Sequence, residues 1–155
     1  MLTQLGRVSL EADGRFATEA ELQFLKDYLE SADHRISAYQ KIRDTEEQIM
    51  DQVEEKALEQ NNRVFFKGTR DMSATCRRDR KQVLKSLAAA MLVSDLDYLR
   101  DSMLLWTSTL MKAFQTEQPS KVTYQLLPSV VKEHLTTEEM QQVMPALQFS
   151  QTLLS

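Results

Sequence analysis

Apolar residues recur at spacings of three and four along most of the chain, which is the period of an amphipathic helix. Leu22, Leu25, Tyr28 and Leu29 form one stripe. Ile36, Tyr39 and Ile42 continue on a second helix, and Ile49, Val53, Ala57 and Leu58 on a third. Val83, Leu84, Leu87, Ala88 and Met91 mark the apolar face of a long helix. Leu99, Met103, Leu104, Trp106, Leu110 and Phe114 populate another. Strict alternation and β-branched runs are lacking, so no strand is expected.

Local chemistry sets the boundaries. A short first segment, residues 3–13, ends at Asp13-Gly14, where glycine tolerates the positive φ of a turn. Thr18 with Glu21, and Thr136 with Glu139, read as capping boxes that open helices. A break falls near Ser31-Ala32-Asp33, and Asn61-Asn62 begins a loop or helix entry that runs to residue 70. Asp71 or Ser73 opens the long helix, and Ser94 or Asp95 caps the next. Pro119 suits the first position of a helix, whereas Pro128 and Pro145 fall inside the last two and predict a kink or break. About eight helices result, a count that fits a globin-like packing and other multi-helix folds equally.

The chain has 155 residues, enough for one domain with a real core. Only three glycines and three prolines interrupt it, which favours a nearly all-helical chain. A net charge of −4 argues against a nucleic-acid partner. The single cysteine cannot form an internal disulfide, and residues 1–30 carry no signal pattern. No apolar stretch approaches the roughly 20 residues of a membrane span. A cytoplasmic protein, soluble or peripheral, is expected.

Candidate chemistry concentrates in Met72-Ser73-Ala74-Thr75-Cys76-Arg77-Arg78-Asp79, around that single cysteine. A thiol, a cation and an acid at helical spacing suit a covalently held pigment bearing propionates. A cysteine taken alone is more often a small buried hydrophobe. Arg77, Arg78, Arg80, Lys81 and Lys85 form a basic cluster, read either as a solvated face or as contacts to propionates or an acidic partner. Glu46, Glu47, Asp51, Glu54, Glu55 and Glu59 read as a solvated face. The only histidines, His34 and His134, are not placed as a haem ligand near the middle of the chain and read as surface or capping residues. Met103, Met111, Met140 and Met144 read as core or interface packing. No nucleophile–base–acid set or phosphate loop is present, so an enzyme is not expected.

The cysteine segment resembles the bilin-attachment segment of phycobiliproteins, M-x-A-x-C-x-R-D. The likeness extends along the chain. Glu11 to Leu22, EADGRFATEAEL, is similar to the junction of the two N-terminal helices of allophycocyanin-type subunits, and Val93-Ser94-Asp95 sits where the family turns into its next long helix. The resemblance implies one phycocyanin-like domain over residues 1–155. This would be an all-α, globin-like body at 32–155 with an N-terminal helical hairpin, residues 1–31, for subunit association. It implies a phycocyanobilin or related linear tetrapyrrole thioether-linked to Cys76. Arg78 would pair with a propionate, Asp79 would accept from the pyrrole N–H groups, and Arg77 and Met72 would flank the pigment. Glu11, Arg15 and Phe16, with Leu5 and Val8, would meet another phycobiliprotein subunit or a core linker as a homo- or heterodimer. The implied function is light harvesting and energy transfer in a phycobilisome at the cytoplasmic thylakoid face of a cyanobacterium. The alternatives are a non-chromophorylated assembly or docking factor on the same fold, and a noncovalent bilin or haem carrier or globin-like sensor.

The chain also departs from the family. Arg80-Lys81-Gln82-Val83 stands where acidic and tyrosine residues usually follow the aspartate, the glycine- and asparagine-rich loop is reduced to Arg63–Gly68, and Trp106 lies on a helix usually lined by small residues. A pocket short of aromatics is expected.

Overall fold

The computed structural model describes residues 1–155, apart from the side chain of Leu2. Helix α1 spans Leu2–Glu11 and α2 spans Glu19–Glu30. Between them Gly14 takes φ +77°, the left-handed turn its lack of a Cβ allows. The Thr18–Glu21 capping box is complete and starts α2. Then follow α3 (Ala32–Asp44), α4 (Glu46–Gln60) and α5 (Ser73–Leu92). A short α6 (Leu96–Leu99) passes through a π turn, Arg100–Leu104, into α7 (Leu105–Phe114). Helices α8 (Glu117–Lys132) and α9 (Thr137–Leu154) complete the chain, the latter opened by the Thr136–Glu139 capping box.

Helix α9 packs against α3, α5 and α8, and α4 packs against α8 and α5. This is an all-α, globin-like arrangement. Ile49, Met50, Leu84, Leu87, Leu99, Leu104, Leu147 and Leu154 lie at its fully buried centre. Each such side chain stabilises the fold by about 1.5–3 kcal/mol relative to exposure. A smaller cluster of Ala57, Val64, Phe65 and Cys76 closes one end.

Several sequence expectations are corrected. Residues 66–71 form a two-stranded antiparallel ribbon, β1 (Phe66–Lys67) and β2 (Arg70–Asp71), where no strand was expected. Gly68 supplies the positive φ that its two-residue turn requires. The core face of α3 is Arg35, Ala38 and Ile42, while Ile36 is exposed. Arg35 is buried because its guanidinium lies 3.8 Å from the Tyr28 ring centroid and donates to the Leu92 and Tyr28 carbonyls. That tie joins the end of α2 to the end of α5. Leu58 is also exposed. Pro119 is the third residue of α8, still within the turn whose N–H groups need no helical partner. Helices α8 and α9 run on through Pro128 and Pro145 without a break.

Among the described residues, α1 and α2 bury no side chain. Thr3 attaches α1 to the body through Asp95, its backbone N–H 2.9 Å from Oδ2 and its hydroxyl 3.0 Å from Oδ1. No helix is long and apolar enough to cross a membrane.

Candidate functional site

A cavity of about 520 Å³ opens between the first half of α5, the π turn with α7, and the start of α8. That is within the usual range of small-molecule sites. Helix α5 faces it with Thr75, Cys76, Arg78, Asp79, Arg80 and Gln82, preceded by Met72. The periodicity explains the division of labour on α5. Cys76, Arg80, Val83, Leu84 and Leu87 lie on its buried face, and Thr75, Arg78, Asp79 and Gln82 on the neighbouring face.

Cys76 is 9% exposed, and burial pushes its thiol above the ordinary range, with the Arg80 charge pulling partly back. Its neighbours on the other side are Val64, Phe65 and Ala57. Arg78 and Asp79 sit at the rim and pair with each other, Arg78 Nη2 donating to Asp79 Oδ1 at 3.0 Å. The cavity therefore carries a thiol within and a cation–acid pair at its mouth.

Helices α7 and α8 build the opposite wall. Met103, Trp106, Thr107, Leu110 and Phe114 come from the π turn and α7, and Thr123 and Tyr124 from α8. A π turn shifts the phase of a helix by part of a turn and is frequent at functional sites. Here it carries Met103, whose Sδ accepts from Thr107 Oγ1 at 3.3 Å across the cavity-lining face. Lys67 of the ribbon donates to the Phe114 carbonyl at 3.0 Å and so ties the ribbon to the end of α7.

The structure places the named residues unevenly. Met72, Cys76, Arg78 and Asp79 all meet at the cavity. Arg77 does not. It points to α4, with Nη2 2.8 Å from both Glu47 and Asp51 and Nη1 2.7 Å from Glu54. Lys81 pairs with Glu47 and Glu46, Lys85 lies 3.5 Å from Glu46, and Arg80 pairs with Glu54. The acidic row of α4 is thus not simply a solvated face. It neutralises most of the basic cluster of α5. Only charge complementarity between two separate rows could have signalled this in the sequence.

The expected shortage of aromatics is also corrected. Trp106, Phe114 and Tyr124 reach the cavity from distant parts of the chain. Sequence reading missed Tyr124 and Thr107 as cavity residues because nothing local to the cysteine segment marks helix packing, whereas Arg80 is already among the cations considered for propionates. His134 bonds Gln52 at 2.8 Å and His34 is exposed, and neither lines the cavity. No group of three or more metal-ligating side chains occurs among the described residues.

Between α1 and α2, Arg15 donates to both carboxylate oxygens of Glu21, at 2.7 and 2.9 Å, and to the Glu11 carbonyl at 3.2 Å. The Arg15 guanidinium and the Thr18 N–H hold the Glu21 carboxyl down at about 2. This clip links the end of α1 to the start of α2. Phe16 is 98% exposed beside it, and Leu10 is 80% exposed.

The fold and site together define the class as an all-helical, globin-like domain with a lone cysteine in a mixed polar and aromatic cavity. The family is then specific. The family model described as phycobilisome protein matches residues 8–151, and the chain belongs to that family. No curated protein matches the chain.

Proposed function

We propose that the protein is a bilin-carrying, light-harvesting subunit of a phycobilisome, with a linear tetrapyrrole such as phycocyanobilin thioether-linked to Cys76. The observation that carries this reading is the convergence of Cys76, Arg78 and Asp79 on one cavity in a chain of this family. Attachment is an addition. The sulfur bonds a vinyl or ethylidene carbon of the pigment, the carbon–carbon π bond is consumed, and the thiol proton ends on the pigment. Because burial disfavours the Cys76 thiolate, attachment draws on a base supplied by a lyase.

The side chains have separate roles in this reading. Arg78, which is not engaged by the α4 carboxylates, meets a propionate through a charge-assisted fork. Asp79 accepts from the pyrrole N–H groups and keeps the pigment protonated. Trp106 and Tyr124 press on the rings. Clamping suppresses the torsions by which a free pigment loses its excitation. The α1–α2 hairpin, with no buried side chain among the described residues and with Leu10 and Phe16 exposed, docks on another phycobiliprotein subunit or core linker. Glu11 and Arg15 set its shape. The complex would sit in the cytoplasm, at most peripheral to the thylakoid.

The test is co-expression with a bilin-producing pathway and lyase, followed by zinc-enhanced fluorescence on a denaturing gel. A fluorescent band for the parent that disappears in Cys76→Ala supports the reading. A colourless parent band moves the function to a non-chromophorylated assembly or docking factor.

A further inference from the structure

Arg80 follows Cys76 by one helical turn and lies in the wall of the same cavity, yet it is 3% exposed. Its guanidinium rests 5.1 Å from the Phe65 ring centroid, and Nη2 donates to Glu54. Its Nε–H is buried and has no hydrogen-bond partner among the described residues. Such a donor costs the fold its lost hydration and is unusual in a packed wall. Tyr124, also 3% exposed, contributes a phenol to the same wall.

The charge of Arg80 is already met. Glu54 faces both Arg77 and Arg80, and Glu46, Glu47 and Asp51 meet Arg77, Lys81 and Lys85. A second carboxylate beside Glu54 would set like charges together in a buried place. A carbonyl oxygen would satisfy the donor and bring no charge.

We infer that Arg80 is a pigment-contacting residue whose Nε–H donates to a neutral lactam carbonyl on the end ring anchored at Cys76, leaving propionate recognition to Arg78. This rests on the pigment-binding reading above and deepens it. Arg80 stands where the sequence departs from the tyrosine- and acid-rich run of the family.

The test separates the contact from the covalent bond. Free phycocyanobilin is titrated into the full Cys76→Ala chain, and quenching of Trp106, the only tryptophan and a cavity residue, reports binding. Adding Arg80→Gln should raise Kd roughly 3–10-fold, the range of one hydrogen bond. The dimethyl ester of the pigment, which lacks propionate charge but keeps both lactams, should show the same ratio. Glu54→Gln should leave Kd within about twofold, since it disturbs only the tie between α4 and α5. If Arg80→Gln does not fold by circular dichroism, Arg80→Lys keeps the cation against Glu54, removes Nε and should show the same loss.

An unchanged Kd, a ratio that vanishes with the ester, or an equal loss in Glu54→Gln each overturns the inference. So does a parent that binds no pigment. A colourless denaturing gel together with a positive titration would instead overturn the thioether and leave the Arg80 contact standing.

Discussion

Arg77 Nη1 lies 2.7 Å from Glu54 Oε2, so the arginine directly after the cysteine holds α5 to α4 and faces away from the cavity. The next arginine, Arg78, is the one at the cavity mouth. One residue of helical phase, 100° of rotation, separates a structural cation from a candidate ligand-binding one.

Arg77→Gln and Arg78→Gln should therefore have opposite effects. Arg77→Gln should lower stability by about 1–2 kcal/mol, because it leaves Glu54, Glu47 and Asp51 short of a donor at a half-buried site. Its pigment spectrum should be unchanged. Arg78→Gln should change stability by less than about 0.5 kcal/mol and should alter pigment loading or absorption. Urea unfolding and visible spectra of the two variants check this. A spectral change in Arg77→Gln with none in Arg78→Gln would reverse the assignment.

Glu139 makes the fold acid-sensitive. Burial alone would raise its pKa, but Lys41 Nζ at 2.7 Å, Ser37 Oγ at 2.6 Å and the Thr136 N–H at 2.7 Å win, and its carboxyl is held at about 2. A carboxyl depressed on folding contributes stability that is fully present above its unfolded pKa, near 4.3. That contribution fades as pH falls toward about 2, where the folded-state carboxyl takes up its proton. Glu139→Gln should cost on the order of 2–3 kcal/mol at pH 7 and flatten the stability loss between pH 4.5 and 2. Denaturant midpoints measured across that range decide it; parallel curves for parent and variant would contradict the account.

Asp95 is both the cap of α6 and the post to which Thr3 is tied. Burial opposes its ionisation, but the Thr3 and Tyr98 N–H groups and the Thr3 hydroxyl hold its pKa below the ordinary value. Asp95→Ala should cost about 1–2 kcal/mol for the cap and release α1. Hydrogen exchange should show faster exchange at the Thr3 amide and through α1, with α9 unaffected. Unchanged protection at Thr3 would show that other contacts hold α1.

Phe16 and Leu10 are the most exposed large apolar side chains described in the α1–α2 segment. Phe16→Ser combined with Leu10→Ser should leave the thermal midpoint of the isolated chain within about 2 °C, since neither side chain is buried. The same variant should no longer pair with a phycobiliprotein partner subunit in size-exclusion chromatography. Retained pairing would place the association surface elsewhere.

Much of the architecture was legible because helical periodicity and capping chemistry are local. The capping boxes at Thr18 and Thr136, the buried face from Val83 to Met91 and the Asp95 cap stand where spacing put them. The cysteine segment was legible because its residues share one helix. What was not legible depended on partners distant in the chain. Ile36 reads as core by spacing, yet Arg35 takes the buried position because the Leu92 carbonyl and the Tyr28 ring satisfy it. The direction of Arg77 is set by α4, the aromatic wall by α7 and α8, and the ribbon at 66–71 by a glycine turn too short to show alternation.

The most direct test of the central claim is peptide mass spectrometry of protein from a bilin-producing host. Trypsin cleaves after Arg70 and Arg77, so the seven-residue peptide Asp71–Arg77 isolates Cys76. The account predicts that this peptide carries the mass of one linear tetrapyrrole and its visible absorption. Recovery of the peptide only with a free thiol, from a host whose other phycobiliproteins are fully pigmented, would contradict it.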